Sequence, residues 1–149
     1  MKPEPVFGSE ASGKPQELPA GGTSRNPMEG TLAYVVDDEA LVGEVAANAL
    51  KRAGLKPVVF QSSVVAWSAF MAAHPRPKLL VTDFLMKSLN GLELIERCKQ
   101  AEPGLKTILF SGSVGFELVE RYAIQPDRFI NKPFDLGVLV ETARKILQD

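Results

Sequence analysis

Five short apolar runs punctuate the second part of the chain: Leu32–Val36, then residues 57–60, 78–82, 107–110 and 128–130. Runs this short and this continuously apolar suit parallel strands covered on both faces, where alternation is lost because neither side meets water. Segments of helical period lie between them. The first puts Leu41, Val42, Val45, Ala46, Ala49, Leu50 and Ala53 on one face and ends at Gly54, a residue suited to the left-handed turn that closes a helix. A second clear helix spans residues 92–99, with Leu92, Ile95 and Cys98 inward and Glu93 placed to pair with Arg97 one turn on. The last has Leu136, Leu139, Val140, Ala143, Ile146 and Leu147 on its apolar face. Weaker helical patterns cover residues 63–73 and 113–122, the latter loosened by Gly112 and Gly115.

Strand and helix alternate five times between residues 31 and 149, which predicts an α/β fold with a doubly wound parallel sheet of five strands. Sheets of this kind bind ligands at the carboxyl ends of their strands. Residues 1–30 differ in character. They hold Pro3, Pro5, Pro15, Pro19 and Pro27 with five glycines, and their few apolar residues show no period. Such a segment buries too little surface to offset its ordering entropy, so a disordered tail is expected over 1–30 and one domain over 31–149.

Composition narrows the function. A formal charge of −1 supplies no basic field for a phosphate backbone, so direct nucleic-acid binding has no electrostatic support. No apolar stretch is long enough to span a membrane or to act as a secretory signal, and a cytoplasmic protein without membrane contact is expected. Cys98 is the single cysteine and reads as a packing residue of a helix. His74, the single histidine, and Trp67 with Phe70 and Met71 read as structural.

The expected strand ends carry the chemistry. The first runs into Asp37, Asp38 and Glu39, and the third ends in Asp83. Adjacent carboxylates leaving a buried strand repel one another unless a cation shares them, and a hard divalent ion is the natural partner. The fourth strand ends in Ser111 and Gly112, and the fifth leads through Asn131 to Lys132 and Pro133. Three acids, a hydroxyl and an ammonium thus converge on one rim.

In this order and spacing the chain resembles the receiver domain of two-component response regulators, across residues 31–149. The resemblance implies a flavodoxin-like (βα)5 fold with strand order 2-1-3-4-5. It implies Asp83 as phosphoacceptor and Mg²⁺ as cofactor, held by Asp38, Asp83 and the backbone carbonyl of Leu85, with Asp37 acting on the metal mainly through water. Lys132 would pair with the phosphoryl group and Ser111 would bond one of its oxygens. Phe129 stands where the family has an aromatic switch residue, and the Lys132–Pro133 bond is expected to be cis. A sensor histidine kinase or histidine phosphotransfer protein would be the donor. Output would pass to a protein target through the face of the fourth helix, fifth strand and fifth helix. The expected function is a stand-alone phosphorylatable receiver, an intermediate of a phosphorelay or an adaptor, that catalyses its own phosphorylation and dephosphorylation.

Two other functions compete. A docking module that works without phosphorylation has no need of the acid pair, Asp83, Ser111 and Lys132 together. An aspartyl-phosphate phosphatase of the haloacid dehalogenase type would carry its acids in a DxD pattern, which Asp37 and Asp38 do not form. The chain departs from the receiver pattern at Lys87, where many members have proline, and at Leu85, where some have a polar residue; Met86 and Gly91 keep it. Leu85 and Ser113 flank the expected path of a hydrolytic water, and neither orients water well.

Overall fold

The computed structural model describes Asn26, residues 28–112 and residues 120–148. The elements run β1 (Leu32–Val36), α1 (Ala40–Arg52), β2 (Lys56–Phe60), α2 (Ser63–Ala72), β3 (Leu79–Asp83) and α3 (Gly91–Ala101), then β4 (Lys106–Ser111), β5 (Arg128–Asn131) and α4 (Leu136–Gln148). All five strands are parallel and lie in the order β2-β1-β3-β4-β5, as the resemblance implied. Most of the helix expected over 113–122 falls on residues 113–119, outside the described residues.

Alternation along the strands splits the core into two layers. Ala33, Val35, Val81, Ile108 and Phe110 face α1 and α4, where Ala46, Leu50, Leu139 and Ile146 meet them. Tyr34, Val36, Leu80 and Leu109 face α2 and α3, against Phe70, Leu92, Ile95 and Cys98. Every residue of β3 is buried, as befits the middle strand. Each fully buried Leu or Ile adds about 1.5–3 kcal/mol over its exposed state, so the strand that carries Asp83 is the best anchored of the five.

Local signals set the helix ends. The Leu55 amide donates to the Leu50 carbonyl and the Gly54 amide to that of Lys51, with Gly54 at φ 110°, a Schellman closure that glycine permits. Lys51 and Arg52 occupy the last turn of α1, where their charge complements its dipole. Ser62 caps α2 by accepting from the Val65 amide, and Asn90 caps α3 in a box with Glu93. Glu93, expected to pair with Arg97, turns back to accept from the Asn90 amide.

Two further expectations are corrected. The buried stripe of α1 is Gly43, Ala46, Ala47 and Leu50, while Leu41 is 73% exposed and Val45 40%. Gly43 sets this rotation: a Cβ there would stand 3.1 Å from Val59 Cγ1, so the helix rests on the sheet through its glycine. The packed domain also begins before Thr31. Met28 is 3% exposed within the α1 and α4 layer, the Gly30 amide donates to the Gly54 carbonyl, and Asn26 Nδ2 donates to the Ala53 carbonyl at the end of α1. Residues 1–25 and Pro27 lie outside the described residues.

Candidate functional site

The carboxyl end of β1 delivers Asp37, whose amide donates to the Phe60 carbonyl and so extends the pairing with β2. Its side chain is fully buried, and Oδ1 accepts from the Glu39 amide at 2.9 Å as the chain turns into α1. Asp38, next in line, is exposed. β3 ends in Asp83, 8% exposed, with the Phe84 amide donating to the Phe110 carbonyl beside it. The Thr82 hydroxyl donates to the Asp83 carbonyl at 3.0 Å. Asp37, Asp38 and Asp83 each offer a carboxylate oxygen, all within 4.8 Å of one another.

Lys132 enters from β5. Its amide donates to the Ser111 carbonyl, and the following bond to Pro133 is cis, as the resemblance implied. The ammonium stands 3.0 Å from Asp37 Oδ2, 3.2 Å from Asp83 Oδ1 and 3.7 Å from Glu39 Oε1. Phe134 stacks on Phe110 with ring centres 4.3 Å apart and holds the turn after Lys132 on the sheet. Burial raises the Asp83 pKa, the Asp37 charge raises it further, and Lys132 with the Phe84 amide only partly offsets them. For Lys132, burial opposes the charged form, but Asp37 and Asp83 outweigh it and hold the ammonium above its ordinary pKa. One cation thus serves three carboxylates, and the rim keeps an excess of negative charge. Oxygen donors at this spacing are what a hard divalent cation takes.

Ser111 ends β4 opposite Asn131 and is 1% exposed; Phe129, two residues before Asn131, is half-buried in the α2 and α3 layer with Leu109. Ser111, Leu109 and Phe129 therefore share one face of the sheet on neighbouring strands. Leu85, two residues past Asp83, has its side chain 59% exposed. Ser113 lies outside the described residues. Beside Lys132, the outer side chains of α1 form an apolar groove with the next turn, lined by Leu41, Val42, Val45, Pro133, Phe134 and Leu136.

Several contributors escape a sequence reading. Thr82 is a strand residue like its neighbours until its hydroxyl is seen on the Asp83 carbonyl. Asn90 both caps α3 and donates through Nδ2 to the Tyr122 hydroxyl at 2.9 Å, a contact between residues far apart in the chain. Gly91, noted in the sequence only for keeping the receiver pattern, opens α3 although glycine is a poor helix former, a mismatch that signals its close packing on Asp83.

Comparison with known proteins gives concordant findings. A family model described as response regulator receiver domain matches residues 33–144. The DNA-binding transcriptional regulator NtrC of Azospirillum brasilense is 30% identical over 124 residues, covering 80% of this chain and 25% of that protein. NtrC of Escherichia coli (strain K12) is 30% identical over 120 residues, covering 78% of this chain and 25% of its own. The chain thus spans about a quarter of the length of these curated relatives. Among solved structures, the receiver domain of NtrX from Brucella abortus superposes with a TM-score of 0.68 at 26% identity, covering 78% of this chain and 98% of that one. A CheY-like receiver domain protein from Methanospirillum hungatei JF-1 gives a TM-score of 0.74 at 21% identity, over 80% and 95% of the two chains, and shows the shared fold.

Proposed function

The chain belongs to the family of response regulator receiver domains, and from that premise we propose that it accepts a phosphoryl group on Asp83 and signals through contacts with other proteins. The observation that carries this reading is the seat of Lys132, 3.0 Å from Asp37 and 3.2 Å from Asp83 in a pocket of three carboxylates. A fixed ammonium beside a buried carboxylate suits a nucleophile whose product carries more negative charge than its reactant.

In the proposed reaction an Asp83 carboxylate oxygen attacks the phosphorus of a phosphohistidine or a small acyl phosphate. The donor's bond to phosphorus breaks, its electron pair leaves with the donor, and an acyl phosphate forms on Asp83. Lys132 pairs with a phosphoryl oxygen and the Ser111 hydroxyl donates to another. Asp37, Asp38, Asp83 and the Leu85 carbonyl would hold Mg²⁺, which when bound supplies the further positive charge that the acid-rich rim lacks. The donor is a sensor histidine kinase or a phosphotransfer protein, and the apolar groove of Leu41, Val45 and Leu136 beside Lys132 is a surface such a donor covers on reaching Asp83.

Response to phosphorylation starts at Ser111. Moving its hydroxyl toward the phosphoryl group vacates space on the sheet face that Phe129 shares, and the ring follows by packing alone, since phenylalanine donates no hydrogen bond. The test is titration with beryllofluoride and Mg²⁺ while amide spectra are recorded for the wild type and Asp83→Asn. Shifts around Phe129 in the wild type alone are expected. Silence in both proteins would replace this reading with a docking module that needs no phosphoryl group.

A further inference from the structure

Two serines open α2, and they do different work. Ser62 lies outside the helix and caps it, whereas Ser63, the first helical residue, is 1% exposed and its hydroxyl donates to the Lys87 carbonyl at 3.2 Å. Lys87 lies in the loop between β3 and α3. That loop begins at Asp83, includes Leu85, and passes through Ser88, whose φ of 69° is a left-handed conformation that a non-glycine residue adopts at some cost. Its two ends are fixed: the Phe84 amide and carbonyl pair with Phe110 and Gly91, and Asn90 is held in the capping box. Ser63 holds its middle.

We propose that Ser63 is a positioning residue for the phosphoacceptor loop, fixing by a hydrogen bond from α2 a backbone that many receivers restrain with proline at the position of Lys87. The inference rests on the function proposed above only for its consequence at Leu85, whose carbonyl is a proposed ligand of Mg²⁺. The physical logic is entropic. Lys87 leaves its φ free where proline would lock it, so the unliganded loop has more conformations to lose on ordering. An external tether at the Lys87 carbonyl removes those conformations before any ion arrives, and a preorganised ligand binds more tightly than one ordered on binding. The Lys87 amide makes no hydrogen bond among the described residues, so proline there would remove no donor in use.

The test uses the full chain and two readouts, hydrogen exchange of amides 85–89 in metal-free protein and the Mg²⁺ dissociation constant from calorimetry. Ser63→Ala should speed loop exchange and weaken Mg²⁺ binding, each by about two- to tenfold as expected for one hydrogen bond, while exchange in β1 and β3 stays unchanged. Adding Lys87→Pro to Ser63→Ala should return both values toward the wild type. Unchanged loop exchange in Ser63→Ala, an equal loss of protection in β1 and β3, or no restoration by Lys87→Pro would each overturn the assignment. A wild type that binds no Mg²⁺ would refute the proposed function instead, and loop exchange would still decide the role of Ser63.

Discussion

Gly91 stands directly against Asp83: a Cβ on Gly91 would meet the Asp83 carbonyl oxygen, lie 3.0 Å from its carbonyl carbon and 2.7 Å from Leu109 Cδ1. The backbone of Asp83 and the start of α3 are thus packed without room for a methyl group. Gly91→Ala must push α3 away from β3 or twist Asp83 out of line. Overpacking of this kind costs about 1–3 kcal/mol, so the variant should unfold at lower urea. Because the strain falls on Asp83, the folded fraction should also label more slowly with a phosphoryl donor. An alanine variant matching the wild type in both would show that α3 shifts freely.

Burial and the neighbouring Asp37 charge raise the Asp83 pKa above its ordinary value. Its folded pKa lies above its unfolded value, so at pH above the folded pKa the fold bears a penalty that neutral asparagine removes. In metal-free buffer at neutral pH, Asp83→Asn should melt at a higher temperature than the wild type. The gap should narrow as pH falls through the folded pKa of Asp83 toward its unfolded value. Added Mg²⁺ should raise the wild-type melting temperature more than that of the variant. Equal melting temperatures across this range would mean that Asp83 stores no electrostatic strain.

Met28 sits in the core layer of α1 and α4, four residues before the first strand. Met→Ala in a closed core costs about 2–5 kcal/mol, and Met28→Ala should lower the urea midpoint accordingly. A chain starting at Thr31 should be destabilised relative to one starting at Arg25, because it also loses the Asn26 bond to Ala53. Equal midpoints for the two would place Met28 outside the cooperative core.

These cases show where a sequence reading reaches and where it stops. The parallel five-stranded sheet, the rim position of Asp37, Asp83, Ser111 and Lys132, and the Gly54 closure were legible because each depends on local period or on residue type at an element's end, whereas the strand order came only with the family resemblance. Met28 was not: flanked by Pro27, Glu29 and Gly30, it shows no period, and its burial depends on a pocket built by residues distant in the chain. The face of α1 was misread for a related reason. Hydrophobic period gives Leu41 and Val45 weight and gives Gly43 none, although close packing on Val59 selects the glycine. Thr82, Asn90 and Ser63 act through hydroxyl or amide contacts across the fold, which no spacing along the chain announces.

A leucine side chain offers no hydrogen bond to a water, so if Leu85 flanks the path behind the phosphorus as the family resemblance implies, the acyl phosphate proposed on Asp83 should be long-lived. Its side chain is exposed, and substitution there leaves the core untouched. Leu85→Asn, phosphorylated with the same donor and followed after donor removal, should release phosphate faster than the wild type. Equal or slower release would mean that this side chain does not limit the water.

The most direct measurement of the central claim is mass spectrometry of the chain after incubation with acetyl phosphate, with Mg²⁺ and with chelator, for the wild type and Asp83→Ala. One phosphoryl mass should appear on the wild type with Mg²⁺, map to the peptide that holds Asp83, and be lost with chelator and in the variant. The same added mass on Asp83→Ala, or none on the wild type with Mg²⁺ present, would contradict the account.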